Sequence, residues 1–322
     1  MLAPGRTATP EAATLREVDH EPISGSKPLL TFEAPNKQRF VFKLATPELL
    51  AAEVAAFELK NLAGRPCIPA KLAELTLGDR GPVQGLLKPF VEWDVARELS
   101  TDTRRWTPLQ RHVMLMEHAW EWLLDNLDSN ASQFALLGDK SFPLNIDWDR
   151  AFAQDGLSEL SRFAKYRGAL PSARTFLYTD YVEGRIDLSL TLMLREARLI
   201  RELPRPGVVK SVQAYADVRF SDSAERMQFV TGVLARQVGI ERAFRKFASA
   251  LLTERATFRK ARDPRGIMLS VAERLRFHHS VVWNATQPVL HEISRGIVGK
   301  AARQVLKRLR GSRALARPQP SA

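Results

Sequence analysis

The chain has 322 residues, 45% of them hydrophobic and 26% charged, enough apolar content to bury one large core or two smaller ones, which excludes general disorder. The formal charge is +12, but from His291 onward eight Lys/Arg face one acid, so that stretch carries +7 and the rest only +5; nucleic acid is therefore not the expected partner of the body. One cysteine, Cys67, leaves no disulfide partner and no cysteine-built zinc site, and the absence of an apolar run of signal-peptide or membrane-spanning length leads to the expectation of a cytoplasmic protein.

In chain order, residues 1–21 are rich in Ala, Thr, Pro and Glu without periodicity and read as a loose segment, with order expected from Pro22. Leu29 to Phe32 and Arg39 to Leu44 are β-rich runs flanking Pro35-Asn36-Lys37, which predicts a hairpin. Period-two alternation puts Phe40, Phe42 and Leu44 on one face of the second strand and Val41 and Lys43 on the other. Thr46-Pro47-Glu48 predicts a helix start, Leu49, Ala52, Ala56 and Leu59 recur at helical spacing, and Gly64-Arg65-Pro66 ends the run. Val83 to Val91 predicts another strand. Thr107-Pro108-Leu109-Gln110 predicts a capping box, after which Leu109, Val113, Met116, Trp120 and Leu123 mark one buried helix face. A polar loop over 125–133 leads into a second hairpin, Phe134 to Leu137 and Phe142 to Ile146, which ends in Asp147-Trp148-Asp149-Arg150. Beyond Gly156 the pattern predicts helices over 187–203, 221–258 and 264–283. Strands first and helices afterwards give an α+β class.

Phosphoryl transfer needs a cation on the phosphates, an acid to fix that cation, a carboxylate near the nucleophile and oxygen ligands for magnesium. Lys43 on a strand, Glu53 on the next helix, Asp128 and Gln133 in the polar loop and Asp147 after the hairpin supply these parts in order. Taken singly, Lys43 also fits an edge-strand lysine, Glu53 an exposed helix acid and Asp128 a turn former.

Over about residues 22 to 152 the sequence resembles the atypical kinase superfamily of HipA-type kinases, phosphatidylinositol 3-/4-kinases and secretory-pathway casein kinases. Ile23-Ser24-Gly25-Ser26-Lys27-Pro28 resembles the phosphate-covering loop, and Phe40-Val41-Phe42-Lys43 the strand with the ATP lysine. Ala52-Glu53-Val54 resembles the helix with the ion-pairing glutamate, and Leu86-Leu87-Lys88-Pro89-Phe90-Val91-Glu92 the hinge strand along adenine. Asn126 to Phe134 aligns with the catalytic loop and Asn145-Ile146-Asp147-Trp148-Asp149 with the metal-binding segment. The resemblance implies a two-lobed kinase-like fold: a small β-rich N-lobe with one main helix over 22–92, a mainly helical C-lobe over 93–288, then a basic amphipathic helix and disordered tail over 289–322. It implies ATP and Mg2+ as cofactors. Gly25, Ser26, Lys27, Lys43, Glu53, Lys88, Phe90 and Glu92 would bind the nucleotide, Gln133 and Asp147 the metal, and Asp128 would be catalytic, with an acceptor left open among protein, lipid and small molecule. The sequence departs from the family pattern at Ser129, Asn130 and Gln133, where Arg, His and Asn are usual, which keeps a nucleotide-sensing scaffold without turnover as an alternative.

No G-x-S-x-G elbow or G-x-x-x-x-G-K-[ST] loop occurs, so α/β-hydrolase and P-loop chemistry lose their usual support. His112 and His118 lack the spacing of a helical metal pair. In the tail, Ile293, Ile297, Ala301, Val305 or Leu306, and Leu309 recur at helical spacing among Arg295, Lys300, Arg303, Lys307 and Arg310; that stripe fits docking on the helical lobe or, through residues 289–317, an anionic membrane surface, and it keeps a binding protein acting through this tail at membrane or nucleic acid as a further alternative.

Overall fold

The computed structural model describes residues 15–18, 29–77, 81–91, 99–100, 102–126, 133–138, 142–152 and 173–262. The chain divides into two compact units, Met1–Phe258 and Arg259–Ala322; of the second, only the end of the last helix is described. The expected helix over 264–283 and the basic tail over 289–322 lie outside the described residues, as does the phosphate-loop segment 22–28.

The first half is built on a five-stranded antiparallel sheet in the order β1-β2-β3-β5-β4, formed by Arg16–Glu17, Leu29–Glu33, Arg39–Lys43, Pro82–Pro89 and Lys71–Thr76 as β1, β2, β3, β5 and β4 respectively. The predicted β2–β3 hairpin forms because Lys37 accepts a left-handed backbone at φ 68°, and the Asn36 side chain receives the Gln38 N–H at 3.1 Å. Its register sets Phe32 opposite Phe40 and Leu29 opposite Lys43. Phe32, Phe40, Phe42, Leu75 and Leu87 bury one face of the sheet. The tip of the Phe42 ring reaches over the neighbouring strand β5: a Cβ added at Gly85 would stand 2.4 Å from it, so only glycine fits there.

The opposite face carries Val41, Lys43, Leu86 and Lys88, because β3 and β5 pair Val41 with Lys88 and Lys43 with Leu86. It is covered by α1 (Pro47–Leu62), whose Leu50 packs with Leu86 and Ala70. Pro47 starts this helix after an extended Thr46, without a side-chain cap, and Gly64 ends it at φ 63°.

Two expectations are corrected in this half. The loose segment already contains β1, which pairs Arg16 with Glu33 and Glu17 with Phe32; two residues are too short a signal to read. Strand β4 was not expected, because Leu75 is its one buried side chain and Lys71, Leu72, Glu74 and Thr76 face water.

The remainder is mostly helical. After a short 3-10 turn at Thr103–Arg105 comes α2 (Pro108–Leu123), capped as predicted: Gln110 N–H donates to Thr107 Oγ1 at 3.2 Å, and Thr107 N–H to Gln110 Oε1 at 2.9 Å. Helix α2 is not buried on one side alone. Met114, Leu115, Glu117, His118, Ala119, Trp122 and Glu121 are buried along with the expected Val113, Trp120 and Leu123. Strands β6 (Phe134–Leu137) and β7 (Phe142–Asn145) make the predicted small hairpin. Helices α3 (Ala173–Val182), α4 (Leu190–Arg201), α5 (Arg205–Arg219) and α6 (Ser223–Arg262) follow. The sequence shows α4 and α6 but not the separate α5, because Pro206 and Gly207 read as a break. Pro206 sits in the first turn, where its missing N–H costs nothing, and a Cβ at Gly207 would approach Leu62 of α1 to 2.8 Å. Helices α1 and α5 thus pack closely, joining the β-rich and helical parts as an α+β, two-lobed arrangement. Among the described residues, no helix is long and apolar enough to cross a membrane.

Candidate active site

Strand alternation delivers Lys43 to the α1 face of the sheet, and α1 presents Glu53 to it one and a half turns into the helix. The Lys43 ammonium donates to Glu53 Oε2 at 3.0 Å and to Asp147 Oδ1 at 2.7 Å across 104 residues of sequence. It also pairs with Asp149 Oδ2 at 2.8 Å. Burial pulls the Lys43 pKa down, and the Glu53 and Asp147 carboxylates overcome that effect, so the ammonium is held above the ordinary lysine value.

Asp147 is aimed by its own turn. Hairpin β6–β7 ends at Asn145, whose side-chain oxygen receives the Asp147 N–H at 3.0 Å, and Asp147 Oδ1 in turn receives the Asp149 N–H at 3.2 Å. The segment is tied back twice: Ile146 N–H donates to the Gln133 carbonyl at 2.9 Å, and Phe152, at φ 61°, donates its N–H to the Leu124 carbonyl at the end of α2 at 2.6 Å. The three acids differ in access. Asp147 is 34% exposed by side chain, whereas Glu53 and Asp149 are 3% exposed, so Asp147 is the carboxylate a dissolved ion can reach.

Lys43, Glu53 and Asp147 are thus brought together. Lys88 joins them: its ammonium donates to Glu53 Oε1 and to the Ile146 carbonyl, the latter at 2.6 Å. Gln133 stands at the start of β6 and touches the segment through its backbone. Phe90, half-buried at the end of β5, donates its N–H to the Arg39 carbonyl at 2.8 Å. Asp128, Gly25, Ser26, Lys27 and Glu92 lie outside the described residues.

Sequence reasoning gave no role to Asp149, although it is an acid two residues beyond Asp147 in the same turn segment. It also missed the support behind the site. Lys60, about two turns of α1 beyond Glu53, is fully buried and donates to Glu117 of α2 at 2.6 and 2.8 Å, with its ammonium 4.8 Å from the centroid of the Trp148 ring. Arg65, just past α1, makes a two-pronged contact with Glu196 of α4 at 2.8 and 2.5 Å. The Trp120 indole N–H adds a third donor to that carboxylate at 2.6 Å. Cys67 is half-buried, and burial pushes its thiol up to about 11, away from reactivity. His118 packs among Tyr178, Phe244 and Phe247.

The donor set suits a small hard cation. Among the described residues no three His, Cys, Asp or Glu side chains surround a vacant centre; the three acids surround an ammonium instead. One reachable carboxylate, Asp147, fits magnesium, which takes one or two carboxylates and completes its shell with water and phosphate oxygens.

No protein-family model and no curated protein sequence matches the chain. Among solved structures, it is similar to the proinflammatory kinase CtkA of Helicobacter pylori, at 12% identity and a TM-score of 0.48 over 73% of this chain and 96% of that one. It is also similar to a MAP kinase of Leishmania major, at 12% identity and a TM-score of 0.31 over 73% and 84%. Neither likeness is close enough to carry residue roles across, and those roles rest on the geometry above.

Proposed function

We propose that this chain binds a magnesium–nucleoside triphosphate at the Lys43, Glu53 and Asp147 cluster and transfers the terminal phosphoryl group to a hydroxyl-bearing acceptor. The observation that carries the reading is a buried strand lysine held by a helix glutamate at 3.0 Å and by a remote aspartate at 2.7 Å. A structural ion pair needs one acid; this lysine meets three, one of them open to solvent, which is how a site awaiting a polyanion and its cation is built.

In this reading Glu53 fixes the Lys43 ammonium so that it can meet phosphate oxygens, and Asp147 with Gln133 would hold the magnesium ion. That ion neutralises charge on the transferring group when bound. Asp128 orients or deprotonates the acceptor hydroxyl. The buried Asp149 would keep Lys43 compensated with Asp147 holding the metal. Hydroxyl acceptors of protein, lipid or small-molecule origin are all compatible with this chemistry.

A nucleotide-binding scaffold without turnover is the second reading, favoured by Gln133, whose amide oxygen stands on a longer stem than the asparagine usual in the resemblance. Two variants separate the readings. Asp147→Ala abolishes Mg2+-dependent nucleotide binding, measured by calorimetry. Asp128→Ala leaves binding in place and lowers transfer from labelled ATP by on the order of 10². Binding without label transfer to any component of a cell extract establishes the scaffold; nucleotide binding that survives Asp147→Ala overturns both.

A further inference from the structure

We infer that Lys88 is a positioning residue that sets the metal-binding segment against the Lys43–Glu53 pair; this rests on the nucleotide-binding reading above. The Glu53 carboxylate is shared between two lysines, one per oxygen: Oε2 takes Lys43 and Oε1 takes Lys88. The second lysine reaches onward to the carbonyl of Ile146, the residue immediately before Asp147. One ammonium therefore ties β5, α1 and the 145–149 segment into a single unit, at a side-chain exposure of 11%.

The register explains why this lysine can do it. Lys88 pairs with Val41, two residues before Lys43 on the same face, so both lysines project toward α1 from adjacent strands. The charge balance explains why it is needed. Glu53, Asp147 and Asp149 bring three negative charges together, faced by Lys43 and Lys88, with the more exposed Arg150 4.0 Å from Asp149. Without Lys88, Glu53 Oε1 loses its charged partner, and Lys43 is left as the buried cation shared by Glu53, Asp147 and Asp149. The Ile146 carbonyl would lose the donor that fixes the approach of Asp147.

Lys88 touches neither phosphate nor metal in this scheme; it acts through Glu53 and Asp147, as an outer-shell partner does, and such partners are worth about 10–100-fold in metal affinity. The deciding readout is the Mg2+ concentration at half-maximal ATP binding, measured by calorimetry on the full chain. Lys88→Met raises the Mg2+ midpoint by about tenfold or more, and excess Mg2+ restores binding; Lys88→Arg, which keeps a cationic donor, recovers most of the loss. A uniform loss at every Mg2+ concentration means a merely structural residue and overturns the inference. An unmoved midpoint in Lys88→Met, with Asp147→Ala still abolishing binding, overturns the inference and leaves the nucleotide-binding reading standing. Failure of the unaltered chain to bind ATP at all overturns both. Should Lys88→Met not fold, Lys88→Gln, a neutral donor, decides by the same shift.

Discussion

Lys60 shows what a buried charge does when its partner is fixed. It is fully buried, and both bonds go to Glu117; removing one partner strands the other charge in a medium that solvates it poorly. Lys60→Met therefore costs about 3–5 kcal/mol in a urea titration, and Lys60→Met with Glu117→Leu returns most of it. Glu241 of α6 offers a contrast in pH. Burial alone would raise its pKa, but Arg245, Arg201 and Arg198 hold it below the ordinary glutamate range. A carboxylate depressed in the folded state stabilises above its unfolded pKa and loses that contribution as pH falls through the folded value. Glu241→Gln is accordingly destabilised by about 1.5–3 kcal/mol at pH 7, and the difference from the unaltered chain shrinks below the normal glutamate range, as acid-unfolding midpoints will record. At this scale the sequence made Lys43, Glu53 and Asp147 legible because each follows a strand or helix whose period is plain. Asp149, Lys60 and Lys88 were not assigned these contacts, since a charge that pairs across elements looks in one dimension like a charge facing water.

Among the elements, the β2–β3 hairpin, α1, α2 with its capping box, and β6–β7 could all be read before any coordinates, because turn chemistry and apolar periodicity agreed. Strand β4 could not, since an exposed edge has no apolar face to reveal it, and α5 was hidden by Pro206 and Gly207. The near-complete burial of α2 was equally invisible: its Glu117, His118 and Glu121 look like a solvent face until α3, α4, α6 and Lys60 of α1 close around it. Gly85 ties an element to its packing. Alanine there must displace the Phe42 ring, and overpacking of that kind costs about 1–3 kcal/mol; Gly85→Ala should lower the thermal midpoint, while Phe42→Leu on the same background recovers part of the loss. Independent, additive effects of the two changes would mean that the ring does not rest on this strand.

For the unit Met1–Phe258 as a whole, the site is assembled from both ends of a long stretch: strands contribute Lys43 and Lys88, a helix Glu53, and a segment a hundred residues later Asp147 and Asp149. Helix α1 is the part common to all of it. Its sheet side rests on Leu86, its far side on α5, and Lys60 and Arg65 fasten it to α2 and α4. The consequence concerns time. A helix pinned at four places has no independent pivot, so the contact between Glu53 and Lys43 needs no slow assembly before a nucleotide arrives. Rapid mixing with a fluorescent ATP analogue should then give one exponential whose rate climbs linearly with analogue concentration. A second phase that levels off at high concentration would betray a rearrangement of α1 preceding or following capture.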